Sequence, residues 1–270
     1  MNLRRLMAFP GQLRWPLNLP SVDPWEIEAG EEYQPFLRAR DVMGKKTEYI
    51  VSDNPFAKYG TGAVPAHAGQ EQRIQLAAFF CPHVLDIRSQ YYYGDEETDR
   101  LLVIRAITDR NQLPTLDLML TVLCPWTRRV VYHAINVKPK KMQRGKPFKN
   151  RVARDLAFCN RWGFTYEVLS QEEFPKVELG NHWALFSRLR FQNRDAVHRP
   201  AWEFSRLLNS STASGTADRV LGMVGRRYGV GLDDSHRLFA AAVFFGFIRL
   251  DMRHKFQSHK ELVLLRDSHG

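Results

Sequence analysis

Cysteine is scarce in this chain and its placement excludes the usual uses of the residue. The 270 residues include Cys81, Cys124 and Cys159 only, far apart and odd in number. No metal-type cysteine spacing and no disulfide framework can be drawn from them, and a reducing, intracellular setting fits best. The nine histidines form no zincin or zinc-finger pattern. Long apolar runs are missing too. The longest, Leu238 to Ile248, is too short to cross a bilayer and reads as a buried helix. The opening "MNLRRLMAFPGQLRW" has cations but no continuous apolar stretch, so a secretory signal is not expected. No internal repeat is visible.

Acid is the other shortage. Lys and Arg number 39 against 29 Asp and Glu, a net charge of +10 and a pI near 9.7. An excess of this size points to a polyanionic partner, usually nucleic acid. It is concentrated. From Lys138 to Arg154 there are Lys138, Lys140, Lys141, Arg144, Lys146, Lys149, Arg151 and Arg154, with no acid among them. Such a stretch is read as a nucleic-acid contact, with Lys140, Lys141, Arg144, Lys146, Lys149 and Arg151 as the contacting residues; a merely solvated loop is the plainer alternative.

What is present is the texture of a globular protein, 44% hydrophobic and 25% charged. Residues 1–34 read as a basic, proline-broken arm. From "AGQEQRIQLAAFF" a helix is predicted, with Ile74, Ala77, Ala78 and Cys81 on one stripe. Strands follow at Val84 to Tyr93, "DRLLVIRAI", "PTLDLMLTVL", "RRVVYHAINVK" and "FTYEVLSQ", with a helix from about Lys149 to Trp162 between the last two. A mixed α/β sheet results. The Tyr91, Tyr92, Tyr93 run could stack on bases but reads more simply as strand tyrosines alternating between core and surface. Beyond Pro175 helices dominate. "TADRVLGMVGRRYG" is closed by a glycine, and "LDDSHRLFAAAVFFGF" has Asp233 or Asp234 available as its cap. A hairpin then follows, with basic "RHKFQSHK" at its turn. Two helices, a turn and a hairpin suggest a winged-helix module.

Three acids and amides draw attention. Asp117 interrupts a strand, where Asp is disfavoured; taken alone it reads first as a charge protecting an edge strand from aggregation. Asn136 and Lys138 are two apart and share one strand face. If their strand pairs with that of Asp117, the three converge at one end of the sheet. Glu71 leads the apolar stripe of its helix, where a carboxylate needs a partner, either a divalent cation or Lys138; an ordinary first-turn acid is the alternative. Together these are the ingredients of metal-dependent phosphodiester hydrolysis.

With these residues in view, the chain resembles the TnsA family, the endonuclease subunits of heteromeric cut-and-paste transposases, which have a restriction-endonuclease-like fold. The match lies in "EYQPFLRARDV", in Glu71 standing fifteen residues before Asp86 of "VLDIRSQYYY", in "TLDLML", in "INVKP" and in "RDLAFCNRWGFTYEVLSQEEF". It covers about Glu32 to Phe174. The resemblance implies a catalytic domain over 35–174, a winged-helix-like domain over 175–270, and Glu71, Asp117 and Lys138 as the catalytic set. Glu71, Asp117, Asn136 and the carbonyl of Val137 would hold Mg²⁺, with Mn²⁺ as a substitute. It further implies cleavage at the 5′ ends of a transposon, with a TnsB-like recombinase and a TnsC-like ATPase as partners, in the cytoplasm of a bacterium and at its nucleoid. Asn136 departs from the family, which has Gln or Glu there. That leaves two alternatives: a weak or inactive nuclease-fold module bridging DNA and partner subunits, or a restriction or repair nuclease of the same fold.

Overall fold

The computed structural model describes residues 1–33, 49–50, 65–66, 69–94, 114–189 and 192–265. In chain order the elements are α1 (Leu3–Ala8), β1 (Tyr49–Ile50), β2 (Pro65–Ala66), α2 (Gly69–Phe79), β3 (Val84–Tyr92), β4 (Thr115–Leu123), β5 (Val130–Val137), α3 (Lys146–Arg161), β6 (Thr165–Leu169), α4 (Lys176–Leu189), α5 (Arg194–Asn209), α6 (Ala217–Tyr228) and α7 (Leu232–Phe244). Strands β3, β4, β5 and β6 form one sheet in that order. The first two pairings are antiparallel, and β5 pairs parallel with β6 across the α3 crossover. The β1–β2 pair is a separate ribbon. Among the described residues the fold is therefore a four-strand mixed sheet followed by a mainly helical region. The predicted strand "DRLLVIRAI" and most of "EYQPFLRARDV" lie outside the described residues.

Alternation along β4 explains both faces of the sheet. Leu118, Leu120 and Val122 enter the large core with Ile135 and Val137 of β5, α2 and the C-terminal helices. Met119 and Ala134 face a smaller cluster with Tyr91, Tyr93, Phe158, Cys159 and Phe164, under α3. Leu116, expected beside Leu118, packs in the smaller cluster with Tyr91, its cross-strand partner. The facing strand is irregular at the same level. Gln90 has φ +52°, and Arg88 and Tyr91 both reach Asp23, which an unbroken period of two would not allow. Tyr91 and Tyr93 are buried and Tyr92 half-buried, the alternation expected of strand tyrosines. Because β4 has β3 on one side and β5 on the other, Asp117 is not an edge-strand charge, and that explanation of it is ruled out.

Residues 1–33, expected as an arm, are packed on the body of the molecule. Leu3 and Leu6 are fully buried on α1, and Leu13 nearly so. The Leu3 N–H and the Asn2 amide donate to the Glu167 carboxylate on β6, while the Leu13 N–H donates to the Phe245 carbonyl. Further along, Asp23 accepts from the fully buried Arg88 at 2.5 Å and from Tyr91 at 2.7 Å, which fastens this segment to β3. One close approach needs glycine. A Cβ on Gly246, at φ +76°, would lie 2.3 Å from the Gly11 carbonyl oxygen.

The C-terminal helices share the large core with the sheet. Thr216 caps α6, and Gly229 closes it at φ +89°, as its sequence predicts. For α7 the cap is Gly231; Asp233 and Asp234 sit in the first turn, where they complement the helix dipole instead of capping. The predicted hairpin is present as a bridge between Leu250 and Leu264, and Thr216 bridges to Glu261. Among the described residues no helix is long and apolar enough to cross a membrane.

Candidate functional site

The β4–β5 pairing runs from Leu123 opposite Val130 to Leu118 opposite Ile135. Beyond that point side chains take over from backbone carbonyls. The Val137 N–H donates to Asp117 Oδ2 at 2.6 Å, and the Asp117 N–H reaches Asn136 Oδ1 at 3.4 Å. Buried N–H groups need acceptors, so this exchange lets the two strands part without orphaning them. The strands thus open into a fork with Asp117 and Asn136 at its base.

Two cations reach into the fork. Lys138, one residue past β5, places Nζ 3.7 Å from Asp117 Oδ2. Arg151 of α3 lies 4.0 Å from Asp117 Oδ1 and donates to Asn136 Oδ1 at 3.3 Å and to the Thr115 carbonyl at 2.9 Å. Asp117 is only 6% exposed, so these charges offset a real desolvation cost. The convergence of Asp117, Asn136 and Lys138 expected from the strand pattern is therefore observed. Lys138 makes its ion pair with Asp117, where the sequence suggested Glu71.

Glu71 is on the first turn of α2 and as buried as Asp117, in line with Ile74 and Ala78. Gln90 Nε2 donates to its Oε2 at 3.4 Å. The register around Gln90, with Ser89 opposite Leu118 and Tyr91 opposite Leu116, puts this residue across from Asp117. The positive φ turns its side chain towards α2, so Gln90 spans from the Asp117 strand position to Glu71. Among the described residues no three His, Cys, Asp or Glu side chains form a metal-binding group. The oxygen donors at hand are the two carboxylates and the Asn136 amide.

The cationic stretch continues directly from Lys138. Lys140, Lys141, Arg144, Lys146 and Lys149 are exposed, and the Gln143 amide donates to the Lys138 carbonyl at 2.9 Å, tying the loop to the site. Arg151 differs from the others: it is half-buried and committed to Asn136, Asp117 and Thr115. No protein-family model matches the chain, and no curated protein matches it in sequence.

Sequence reasoning missed Asp155. It is fully buried on α3 and accepts from Asn136 Nδ2 and the Tyr93 hydroxyl, and from the Tyr166 hydroxyl at 3.3 Å. The signal was available. Asp155 leads Phe158, Cys159 and Trp162 at helical spacing, just as Glu71 leads Ile74 and Ala78. Gln90 gave no such signal, because its role depends on a backbone φ.

Proposed function

We propose that this chain is a Mg²⁺-dependent DNA endonuclease of restriction-endonuclease-like fold, the subunit that cuts the 5′ ends of a transposon beside a TnsB-like recombinase and a TnsC-like ATPase. One observation carries the reading: an interior strand and its neighbour part where Asp117, Asn136 and Lys138 meet, and Gln90, across from Asp117 in register, hydrogen-bonds Glu71. The donor chemistry fits the ion. Mg²⁺ is held by one or two carboxylates and keeps several waters, and Glu71 and Asp117 supply two hard carboxylates. The Asn136 oxygen and the Val137 carbonyl complete the protein's share. The Val137 N–H already points at Asp117, and in an antiparallel pairing the carbonyl of such a residue faces the same neighbour. When bound, the ion would polarise the phosphate and lower the pKa of a bound water.

The chain's own residues do the rest. Lys138 would orient the water and neutralise charge on the scissile phosphate, exchanging its contact with Asp117 for one with the substrate. Arg151 holds the Asn136 oxygen in place. The exposed lysines of the 138–154 stretch track the duplex backbone. The C-terminal order of α5, the Thr216 bridge, α6, α7 and the Leu250–Leu264 hairpin supports a winged-helix reading.

A second reading, a nuclease-fold module that bridges DNA and partners without cutting, draws on one fact: Lys138 and Arg151 already neutralise Asp117. Cleavage of an end-containing duplex with Mg²⁺ and the recombinase separates the two. Asp117→Asn, which keeps an acceptor for the Val137 N–H, and Lys138→Ala should each abolish 5′ cutting while melting as the parent does. Cleavage retained in both variants refutes the site.

A further inference from the structure

Asn136 uses both ends of its amide. Nδ2 donates to Asp155 and to the Tyr166 hydroxyl, the latter at 3.0 Å. Oδ1 accepts from the Asp117 N–H and from Arg151. Which end faces which partner is set by chemistry. Arg151 can only donate, so the end of the amide that meets it is the oxygen and the end facing the Asp155 carboxyl is the NH₂. The oxygen is thereby turned to Asp117 and the mouth of the fork. The other neighbours of Asp155 are donors as well. Arg151 Nε is 3.6 Å and Arg154 Nε 3.9 Å from its oxygens. The Tyr93 and Tyr166 hydroxyls both donate to the same carboxylate, which leaves the Asn136 NH₂ as the matching group on that side.

The same arrangement explains why residue 136 is short and neutral. A Glu there would bring a second buried carboxylate against Asp155, and two like charges cannot both ionise at that separation. A Gln would carry its amide one methylene beyond the contact. We propose that Asp155 is a positioning residue of this site: it fixes the Asn136 amide with its oxygen towards Asp117 and supplies from α3 the negative charge that residue 136 lacks. The inference rests on the metal-dependent nuclease reading, and deepens it by assigning the acid that the fork is missing.

The test is a calorimetric Mn²⁺ titration of the full chain, with thermal melting alongside and no dependence on cleavage. The parent should bind and Asp117→Asn should not. Partners that orient a ligand typically contribute about 10- to 100-fold in metal affinity, and Asp155→Asn should lose an amount in that range. Combining Asn136→Asp with Asp155→Asn exchanges amide and carboxylate within one hydrogen-bonded pair and should recover most of the loss. A residue that merely supports the fold would not be rescued by this exchange. Unchanged Mn²⁺ affinity in Asp155→Asn overturns the inference and leaves the metal reading standing. If Asp155→Asn does not fold, the exchanged pair decides: parent-like binding supports the assignment, while weak binding or failure to fold overturns it. A parent chain that binds no Mn²⁺ overturns the metal reading and this inference with it.

Discussion

Replacing Asp86 by asparagine should change how stability depends on pH, by an amount the structure allows to be worked out. Asp86 is 1% exposed on β3. Its Oδ2 accepts the Gly30 N–H at 3.4 Å and lies 3.5 Å from Arg88 Nε, and the shortest contact of Arg88 is to Asp23 instead. Burial pushes the Asp86 carboxyl up to about 6, against the opposing pull of Arg88. The folded chain therefore holds this proton more tightly than the unfolded chain, where Asp titrates near 3.9. The resulting stabilisation is complete below about pH 4 and is lost as pH rises through about 6. A shift of about two units at 1.36 kcal/mol each makes the loss roughly 3 kcal/mol, a large share of the 5–15 kcal/mol typical of a domain. Asn cannot ionise, so the variant lacks this term while all other titrations cancel. Urea unfolding of both proteins between about pH 4 and pH 8 should show the variant gaining roughly 3 kcal/mol on the parent as pH rises. A stability difference that stays constant with pH refutes the reasoning.

Arg88→Met should cost about 3–5 kcal/mol in urea unfolding near neutral pH, because it leaves Asp23 and Asp86 buried without their cation. A cost below about 1 kcal/mol would show that the N-terminal segment is held by other contacts. Replacing Lys140, Lys141 and Lys149 together by Ala should lower the salt dependence of duplex binding by about 0.9 for each phosphate no longer neutralised, with no change in melting, since all three are exposed. An unchanged slope in a binding titration over a range of salt would remove this stretch from the DNA surface.

The fork was legible because it depends on short-range pattern. Asn136 and Lys138 share a face by strand period, and β5 follows β4 closely enough to pair with it. The surroundings of Asp117 were less so. Whether its strand lay at an edge depended on β3 and β5 both joining it, which no local pattern dictates. Asp155 escaped notice because the cationic run ends at Arg154, one residue before the acid that matters. Residues 1–33 read as an arm because prolines break every period there. Their order comes from partners far along the chain, Glu167 for α1, Phe245 for Leu13 and Arg88 for Asp23.

The C-terminal region has a different part in the proposed nuclease from the one its order of elements suggests. In a helix-turn-helix module the second helix of the motif is the one laid in the major groove. Here that helix would be α7, and it is not on offer. Ser235, His236 and every residue from Leu238 to Phe244 are buried. The exposed positions begin with Leu232, Asp233 and Asp234, an acidic start that repels phosphate. Asp233 is paired across to Arg188 of α4 at 3.7 Å. What α7 does touch is the helix that carries Glu71. Phe79 at the end of α2 packs on Phe244 of α7 at 4.7 Å and on Phe186 of α4 at 5.6 Å, and Phe80 stacks on His182 of α4 at 5.6 Å. Burial pushes the His182 imidazole down to about 3, so it stays neutral and adds no charge to this core. Helices α4 and α7 thus brace α2 against the sheet and fix the distance from Glu71 to the fork. In this reading the duplex is gripped by the lysines around Lys138, and the C-terminal helices serve catalysis by rigidity.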